Sequence, residues 1–275
     1  MIPAPFEYRR VDTVDEAIQA LSDGREAKLL AGGHSLLPLM KVRLARPSLL
    51  VDISRLQDLK YVKEDGDRVA IGALTRHHDV ANSEVLQELC PIVSYAAGEI
   101  GDPQVRHVGT IGGSVAHADP ASDMPSVLLA LDAEMEVRGP AGVRNVAAGD
   151  FFKGLFEPDL ATDEVLTEIR VPKTAGRGWS YLKFHRRAQD WALVGVAALA
   201  QNGAGPSVAL TNMADRPVRA TGVEEELAGG ADPAAASQRA ADGTSPPSDA
   251  FASAEYRREL VKVLVRRAIE EAQGR

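Results

Sequence analysis

Two glycine-containing stretches stand out in this sequence: AGGHS at residues 31–35, directly after the apolar run KLLA, and GTIGGS at residues 109–114. Adjacent glycines allow positive φ angles and let a ligand approach the backbone with no Cβ in its way. Successive amides in such turns form an anion-binding concavity, and hydroxyl groups in both loops add donors. Taken singly, each loop is explained better as a tight turn that ends a strand; together, two such loops could hold a pyrophosphate from both sides.

Two common nucleotide-binding motifs are absent from the sequence. Neither loop has the G-x-G-x-x-G spacing of the dinucleotide fingerprint, and no G-x-x-x-x-G-K-[ST] occurs. A P-loop fold or a standard Rossmann fold is therefore not supported.

Composition and charge narrow the class of protein. A chain of 275 residues is expected to form about two domains. Its 31 basic and 39 acidic residues give a net charge of −8, which argues against non-specific binding to nucleic-acid phosphates. The N-terminus MIPAPFEYRR has no hydrophobic signal region, and the longest apolar run, residues 191–200, is shorter than a membrane helix. We therefore expect a cytoplasmic protein, with association to a membrane through a larger complex left open.

The single cysteine limits the chemistry of this chain. Cys90 leaves no partner for an internal disulfide, and one thiol cannot by itself build a cysteine-ligated zinc site or iron–sulfur cluster. Cys90 follows apolar residues and precedes a proline, so we expect a buried small hydrophobe rather than a nucleophile. His77 and His78 have no partner motif and are expected at the surface. The sequence suggests no catalytic residue and no metal ligand.

Hydrophobic periodicity gives a coarse order of elements. Capping residues predict helices that begin at residue 14, at residue 233 and after Ser253, the last with Tyr256, Leu260, Leu264 and Ala268 on its apolar face. Further helices are predicted at residues 35–43, 78–89 with a break at 82–83, and 91–100, and a linker at 173–178. Strands are predicted at residues 28–31, 48–53, 68–73, 133–138, 163–171, 179–185, 192–201 and 207–212.

Several segments resemble the FAD-binding medium subunit of molybdenum hydroxylases, the group of the carbon monoxide dehydrogenase flavoprotein and the flavin domain of xanthine dehydrogenase. The resemblance rests first on AGGHSLLPLMKVRLARPSLLVDI (31–53) and DPQVRHVGTIGGSVAHADPASDMP (102–125). It continues through DEVLTEIRVP (163–172), YLKFHRRAQDWALVGVAA (181–198) and SAEYRRELVKVLVRRA (253–268). It therefore spans nearly the whole chain.

The resemblance implies an α+β fold in two domains. Residues 1–175 would form an FAD-binding domain of the vanillyl-alcohol-oxidase (PCMH) type, with lobes at about 1–55 and 56–175 and FAD between them. Residues 176–275 would form a small α/β C-terminal domain with a three-stranded antiparallel sheet.

The resemblance also implies the residues of the cofactor site. Ala31, Gly32, Gly33, His34, Ser35 and Leu36 would wrap the pyrophosphate from one lobe, and Thr110, Ile111, Gly112, Gly113 and Ser114 from the other. Asp123 matches a carboxylate that binds a cofactor hydroxyl, a bond that suits a carboxylate acceptor.

Four further positions are implied near the cofactor. Lys183 matches a lysine near the flavin ring, where a cation stabilises the reduced anionic flavin; the alternative is a strand lysine that extends its ammonium into solvent. Ile169 matches an aliphatic residue packed against the cofactor, and would be a core residue in any fold. Trp191 stands where carbon monoxide dehydrogenase has a tyrosine close to the isoalloxazine, and His117 is a further FAD contact.

The family implies partners as well as a cofactor. A large subunit would hold the molybdenum cofactor and a small one two [2Fe-2S] clusters, in a dimer of heterotrimers. This chain would take electrons from the nearer cluster to FAD and pass them to an external acceptor. Two alternatives stay open: a self-contained flavin oxidase or dehydrogenase, and a non-enzymatic ligand-binding module whose glycine loops are structural.

Overall fold

The computed structural model describes residues 2–200 and 205–275. The first lobe is a small parallel sheet with two helices. Its elements are β1 (Glu7–Arg10), α1 (Val14–Ser22), β2 (Ala27–Leu30), α2 (Leu36–Lys41) and β3 (Leu49–Asp52). The strand order is β1-β3-β2, and every residue of the central β3 is buried. The predicted β/α unit is therefore confirmed, and its first glycine loop lies between β2 and α2.

The second lobe is a five-stranded antiparallel sheet covered by short helices. After a 3-10 turn (Gln57–Leu59) it contains β4 (Val62–Asp65), β5 (Arg68–Gly72), α3 (His77–Ala81), α4 (Glu84–Leu89), α5 (Pro91–Gly98), α6 (Pro103–Arg106), α7 (Ile111–His117) and α8 (Asp123–Ala130). It continues with β6 (Glu134–Gly139), β7 (Gly142–Ala147), α9 (Ala148–Phe151), the hairpin β8 (Phe152–Gly154) and β9 (Glu157–Pro158), and β10 (Val165–Pro172). The strand order β4-β5-β10-β6-β7 places β10, the last strand of this lobe in sequence, at the centre.

The C-terminal region is an antiparallel sheet backed by a long helix. Its elements are β11 (Trp179–Phe184), β12 (Val194–Leu199), β13 (Ser207–Thr211), β14 (Val218–Arg219), α10 (Thr221–Ala228), α11 (Pro233–Ala236), a 3-10 turn (Ser237–Arg239) and α12 (Ala254–Gly274). The three predicted strands lie side by side in the order β11-β12-β13, and the two-residue β14 adds a fourth. Residue 201, the predicted end of the second strand, lies outside the described residues.

Both faces of this C-terminal sheet are buried. Side chains alternate along a strand, so Val196 and Leu210 pack with Val261 of α12 on one face. Tyr181 and Ala197 point the other way and join the core of the second lobe. The hydrophobic core of the N-terminal region thus continues directly into the C-terminal sheet.

The buried face of α12 includes the predicted Leu264 and Ala268 but begins at Arg257 rather than at Tyr256. Tyr256 is 48% exposed, whereas the neighbouring Arg257 is fully buried. Arg257 lies one helical turn before Val261 on the line that faces the sheet. Its guanidinium is held by Asp249 at 2.6 Å and by the Leu193 carbonyl. A hydrophobicity pattern places arginine on the outside, so this buried ion pair was missed.

Among the described residues, no helix combines the length and the apolar character needed to cross a membrane.

A glycine at the start of the C-terminal sheet gives a stability prediction. A Cβ at Gly178 would lie 1.8 Å from the carbonyl oxygen of Ala272 in α12. We expect Gly178→Ala to lower the free energy of unfolding by about 1–3 kcal/mol because backbone must move to admit the methyl group. Urea denaturation measures this loss. Gly149→Ala is the control, since nothing lies within 4 Å of its Cβ position; equal midpoints for the two variants would contradict the packing described.

Candidate cofactor site

The two glycine loops meet backbone to backbone. A Cβ at Gly32 would lie 2.3 Å from the Val108 carbonyl oxygen and 2.8 Å from the Cα of Gly109. No side chain fits between the loops, which explains the glycine at position 32. The fold therefore brings residues 31–35 and 109–114 together at the junction of the two lobes.

The first loop keeps its amide donors free of protein acceptors. Gly33 has φ +72°, in the left-handed region, so the chain reverses there at a residue without a Cβ. Among the described residues, none accepts a hydrogen bond from the amides of residues 32–35. Ser35 precedes α2 and its hydroxyl makes no capping bond. Four successive amides and a hydroxyl are thus available to an external anion.

The second loop is built differently, and the prediction of free amides in both loops is wrong for it. The amides of Ile111 and Gly112 donate to the carbonyls of Thr75 and Ala73, at 3.0 and 2.9 Å. The amide of Gly113 donates to Thr110 Oγ1 at 3.2 Å. These bonds form because the loop becomes the start of α7, packed against the end of β5.

The second loop offers hydroxyl groups and open space instead of amides. The hydroxyls of Thr110 and Ser114 donate to no residue in the described part of the chain. A Cβ at Gly113 would meet only Thr110 Oγ1, at 2.8 Å, within a 4 Å radius. The side chain of Ile111 is fully buried in the core, so only its backbone can face a ligand.

His77 is buried behind the second loop, which corrects the expected surface position. Only 4% of the residue is exposed, and its amide donates to the Gly109 carbonyl at 3.0 Å. Burial, followed by the nearby Arg106 and His34, lowers the pKa of His77 to about 4. Its Nδ1 has no hydrogen-bond partner among the described residues. A neutral imidazole therefore supports the loop at physiological pH.

Asp123 and Lys183 form a buried ion pair. The Lys183 Nζ lies 3.0 Å from Asp123 Oδ2, and the two side chains are 4% and 5% exposed. The Tyr181 hydroxyl donates to Asp123 Oδ1 at 2.6 Å. Burial raises the pKa of Asp123, against the opposing effects of Lys183 and Tyr181. The expected alternative for Lys183, an ammonium extended into solvent, is therefore wrong.

The remaining predicted residues lie in three different environments. Ile169 has no exposed surface and pairs with Ile71 and Met135 at the centre of the second-lobe sheet, which favours a core role over a cofactor contact. The ring of His117 lies 4.9 Å from that of Phe156, and burial lowers the pKa of His117.

Trp191 lies at the surface, at a cavity beside the segment between His117 and Asp123. It is 58% exposed and lines a separate cavity of about 490 Å³ together with Asp119, Arg187, Asn212 and Phe251. None of the loop residues lines this cavity. Tyr181, which touches the predicted Asp123, was missed because an apolar strand gives no signal for one buried hydroxyl.

Comparison with known proteins agrees with this geometry. Residues 4–174 match the family described as FAD binding domain in molybdopterin dehydrogenase, and residues 179–272 match the CO dehydrogenase flavoprotein C-terminal domain. The chain belongs to this flavoprotein family. FAD is accordingly its cofactor.

The similarity extends over whole chains. The medium chain of carbon monoxide dehydrogenase from Hydrogenophaga pseudoflava is 41% identical over 100% of this chain and 99% of its own length. The glyceraldehyde dehydrogenase medium chain of Sulfolobus acidocaldarius is also 41% identical, over 98% and 99%. A solved carbon monoxide dehydrogenase structure from Hydrogenophaga pseudoflava superposes with a TM-score of 0.96 at 41% identity, covering 100% of this chain and 99% of that one.

The residues at the junction of the lobes suit FAD. The free amides of residues 32–35 are hydrogen-bond donors of the kind that phosphate oxygens accept. The open side of Gly113 leaves space for a ligand, which a side chain at this position would fill. Hydroxyls from both loops supply further donors at the same junction. The flavoprotein therefore presents a donor-rich cradle assembled from two separate parts of its chain.

The cradle gives a prediction about cofactor retention. We expect Gly113→Val to weaken FAD binding by at least about tenfold, because its side chain fills the open space beside Thr110. Gly33→Val should have the same effect, since a β-branched residue is strained at positive φ. Visible flavin absorbance of the purified chains measures both. Gly149→Val is the control, and normal flavin content in both loop variants would show that the cradle is wrongly placed.

His77 gives a prediction about pH and stability. Its pKa is about 4 when folded, against an ordinary value of 6.5, so the unfolded chain binds the extra proton as the pH falls. The free energy of unfolding therefore keeps its full value above pH 6.5 and falls as the pH is lowered toward 4, by about 3 kcal/mol from this residue. We expect His77→Gln to flatten this part of the curve of unfolding free energy against pH, and His78→Gln to leave it unchanged. An unaltered slope in His77→Gln would contradict the burial argument.

Proposed function

We propose that this flavoprotein is the FAD-carrying electron-transfer subunit of a molybdenum hydroxylase of the carbon monoxide or xanthine/aldehyde dehydrogenase kind. The observation that carries the proposal is the cradle of acceptor-free amides at residues 32–35, in a chain that matches medium chains from end to end. Its partners would be a large subunit with the molybdenum cofactor and a small subunit with two [2Fe-2S] clusters, in a dimer of heterotrimers. Electrons would arrive from the nearer cluster and leave to an external acceptor.

The residues of this chain bind and orient the cofactor. Residues 1–175 would form the FAD-binding domain and 176–275 the C-terminal domain. The proposed cofactor contacts are Ala31, Gly32, Gly33, His34, Ser35, Leu36, Thr110, Ile111, Gly112, Gly113, Ser114, His117, Asp123, Ile169, Lys183 and Trp191. Of these, Ile111 would act through its backbone, and Ile169 carries the least support because it is fully buried.

Lys183 supplies fixed positive charge in a dry environment. FAD, when bound, accepts and releases electrons, and its reduced form carries negative charge. An ammonium held at one place by Asp123 and by the Glu99 carbonyl, each at 3.0 Å, stabilises that charge without reorganising. No residue of the chain needs to act as acid, base or nucleophile in this scheme, since the cofactor carries the redox chemistry.

The buried cysteine supports a division of labour between subunits. Cys90 is fully buried, and burial raises the pKa of its thiol to about 12. A protonated, inaccessible thiol is not a cluster ligand, because ligation requires a thiolate. Iron–sulfur clusters would therefore have to come from a partner.

A self-contained flavin oxidase is the second candidate. The cavity of about 490 Å³ beside Trp191 is large enough for a small substrate within this chain.

Substrate reduction separates the two candidates. Purified chain loaded with FAD would be mixed anaerobically with carbon monoxide, purines or aldehydes, with dithionite as the positive control for a reducible flavin. We expect no bleaching by any substrate until large and small subunits are added. Bleaching by a substrate with the isolated chain would favour the self-contained enzyme, and a chain that binds no FAD would overturn both.

A further inference from the structure

A row of polar side chains lies on the face of the C-terminal sheet that packs against the second lobe. Tyr181 and Lys183 are two residues apart on β11 and so share this face. Lys183 pairs with Gly195 on β12, and Gly195 pairs with Thr211 on β13. Opposite this row lies α8, which carries Asp123 at its first position. The row therefore spans the boundary between the two regions of the chain.

Hydrogen bonds and close packing connect this row to Asp123. The hydroxyls of Ser126 and Thr211 are 2.5 Å apart, and the Thr211 hydroxyl and the Tyr181 phenol border the same space at Gly195. Tyr181 donates to Asp123 Oδ1 at 2.6 Å. Because the carboxylate only accepts, the Tyr181 proton points to Asp123.

The space around the phenol is closely fitted. A Cβ at Gly195 would lie 3.2 Å from the Tyr181 hydroxyl oxygen and 2.9 Å from Thr211 Oγ1. Burial first, and then Asp123, raise the pKa of Tyr181 well above its ordinary value. The phenol is therefore a hydrogen-bond donor at neutral pH, and its position is fixed by the surrounding groups.

Lys183 donates a hydrogen bond to the other oxygen of the Asp123 carboxylate. Its ammonium donates to Asp123 Oδ2 and to the Glu99 carbonyl, both at 3.0 Å. An ammonium has three N–H donors, and the third meets no acceptor among the described residues. The charged groups that face Asp123 are Lys183 and, more remotely, Glu99 at the end of α5.

We propose that Tyr181 is a positioning residue for the cofactor site: its phenol stabilises and orients the Asp123 carboxylate, so that Lys183 is fixed with one N–H directed to FAD. The inference rests on the proposed function, because it assigns the free donor to the flavin cofactor. Loss of the phenol leaves a buried carboxylate with one donor fewer. The carboxylate then protonates more easily and Lys183 loses its fixed partner.

The test is a double-mutant cycle on the full chain with FAD as the probe. Wild type, Tyr181→Phe, Asp123→Asn and the double variant would be titrated with FAD between about pH 5 and 9. We expect Tyr181→Phe to weaken FAD binding about tenfold at neutral pH, because a hydrogen bond to a charged group is lost. The pH below which FAD affinity falls, the acid limb of the affinity profile, should rise by about one unit. In the Asp123→Asn background the same substitution should change affinity by about twofold or less.

Tyr95→Phe is the matched control, since it removes a phenol oxygen that has no hydrogen bond to the described residues. It should leave both the affinity and the position of the acid limb unchanged.

Three outcomes would decide against the two proposals separately. Equal effects of Tyr181→Phe in both backgrounds, or a loss of affinity with no displacement of the acid limb, would mean that Tyr181 acts through packing alone and would overturn the inference. Wild-type chain that binds no FAD would overturn the proposed function. Should Tyr181→Phe fold poorly, Thr211→Val, which removes the hydroxyl packed beside the phenol, is the second variant, with the same expected direction and a smaller effect.

Discussion

The contact between Gly32 and the Val108 carbonyl oxygen sets the geometry of the whole cofactor site. With only 2.3 Å between that oxygen and a Cβ position, the two lobes touch through backbone alone at this point. Backbone atoms lack the rotational freedom of side chains, so the separation between the loops is fixed by the fold. The amides of residues 32–35 and the open side of Gly113 are therefore held at a constant distance from each other.

The two glycine loops offer different groups to a bound anion. One leaves its amides without protein acceptors and relies on a ligand to complete its hydrogen bonding. The other completes its own bonds through Ala73, Thr75 and Thr110, and contributes hydroxyls and space. The residues of the first loop are half-buried or exposed, so a bound phosphate would replace water as the acceptor of these amides.

Much of this architecture follows from local sequence patterns. The capping side chains of Thr13, Asp232 and Ser253 each accept a hydrogen bond from a backbone amide in the first turn of the helix, as expected of an N-cap. The break between α3 and α4 falls at the predicted residues 82–83. The two glycine loops were identified because adjacent glycines beside hydroxyl residues are visible without any knowledge of tertiary structure.

The features that were missed all depend on contacts distant in sequence. The amides of Ile111 and Gly112 donate to carbonyls more than 30 residues earlier, which no local pattern reveals. His77 and Arg257 are polar types that a hydropathy pattern places outside, yet both are buried because particular partners surround them. The orientation of Lys183 was undecided for the same reason, since only the fold places Asp123 beside it.

The sheet of the C-terminal region has consequences for how such chains can recombine. Its inner face shares a core with the second lobe, and the bonds Tyr181–Asp123 and Thr211–Ser126 cross the boundary. A chimera joined in the short segment between β10 and β11 would bring together the two halves of these bonds from different parents. Polar side chains whose partners differ in the other parent would be buried without a hydrogen bond. The unit that can be exchanged is therefore the sheet together with α8, which lies about 50 residues upstream of the junction.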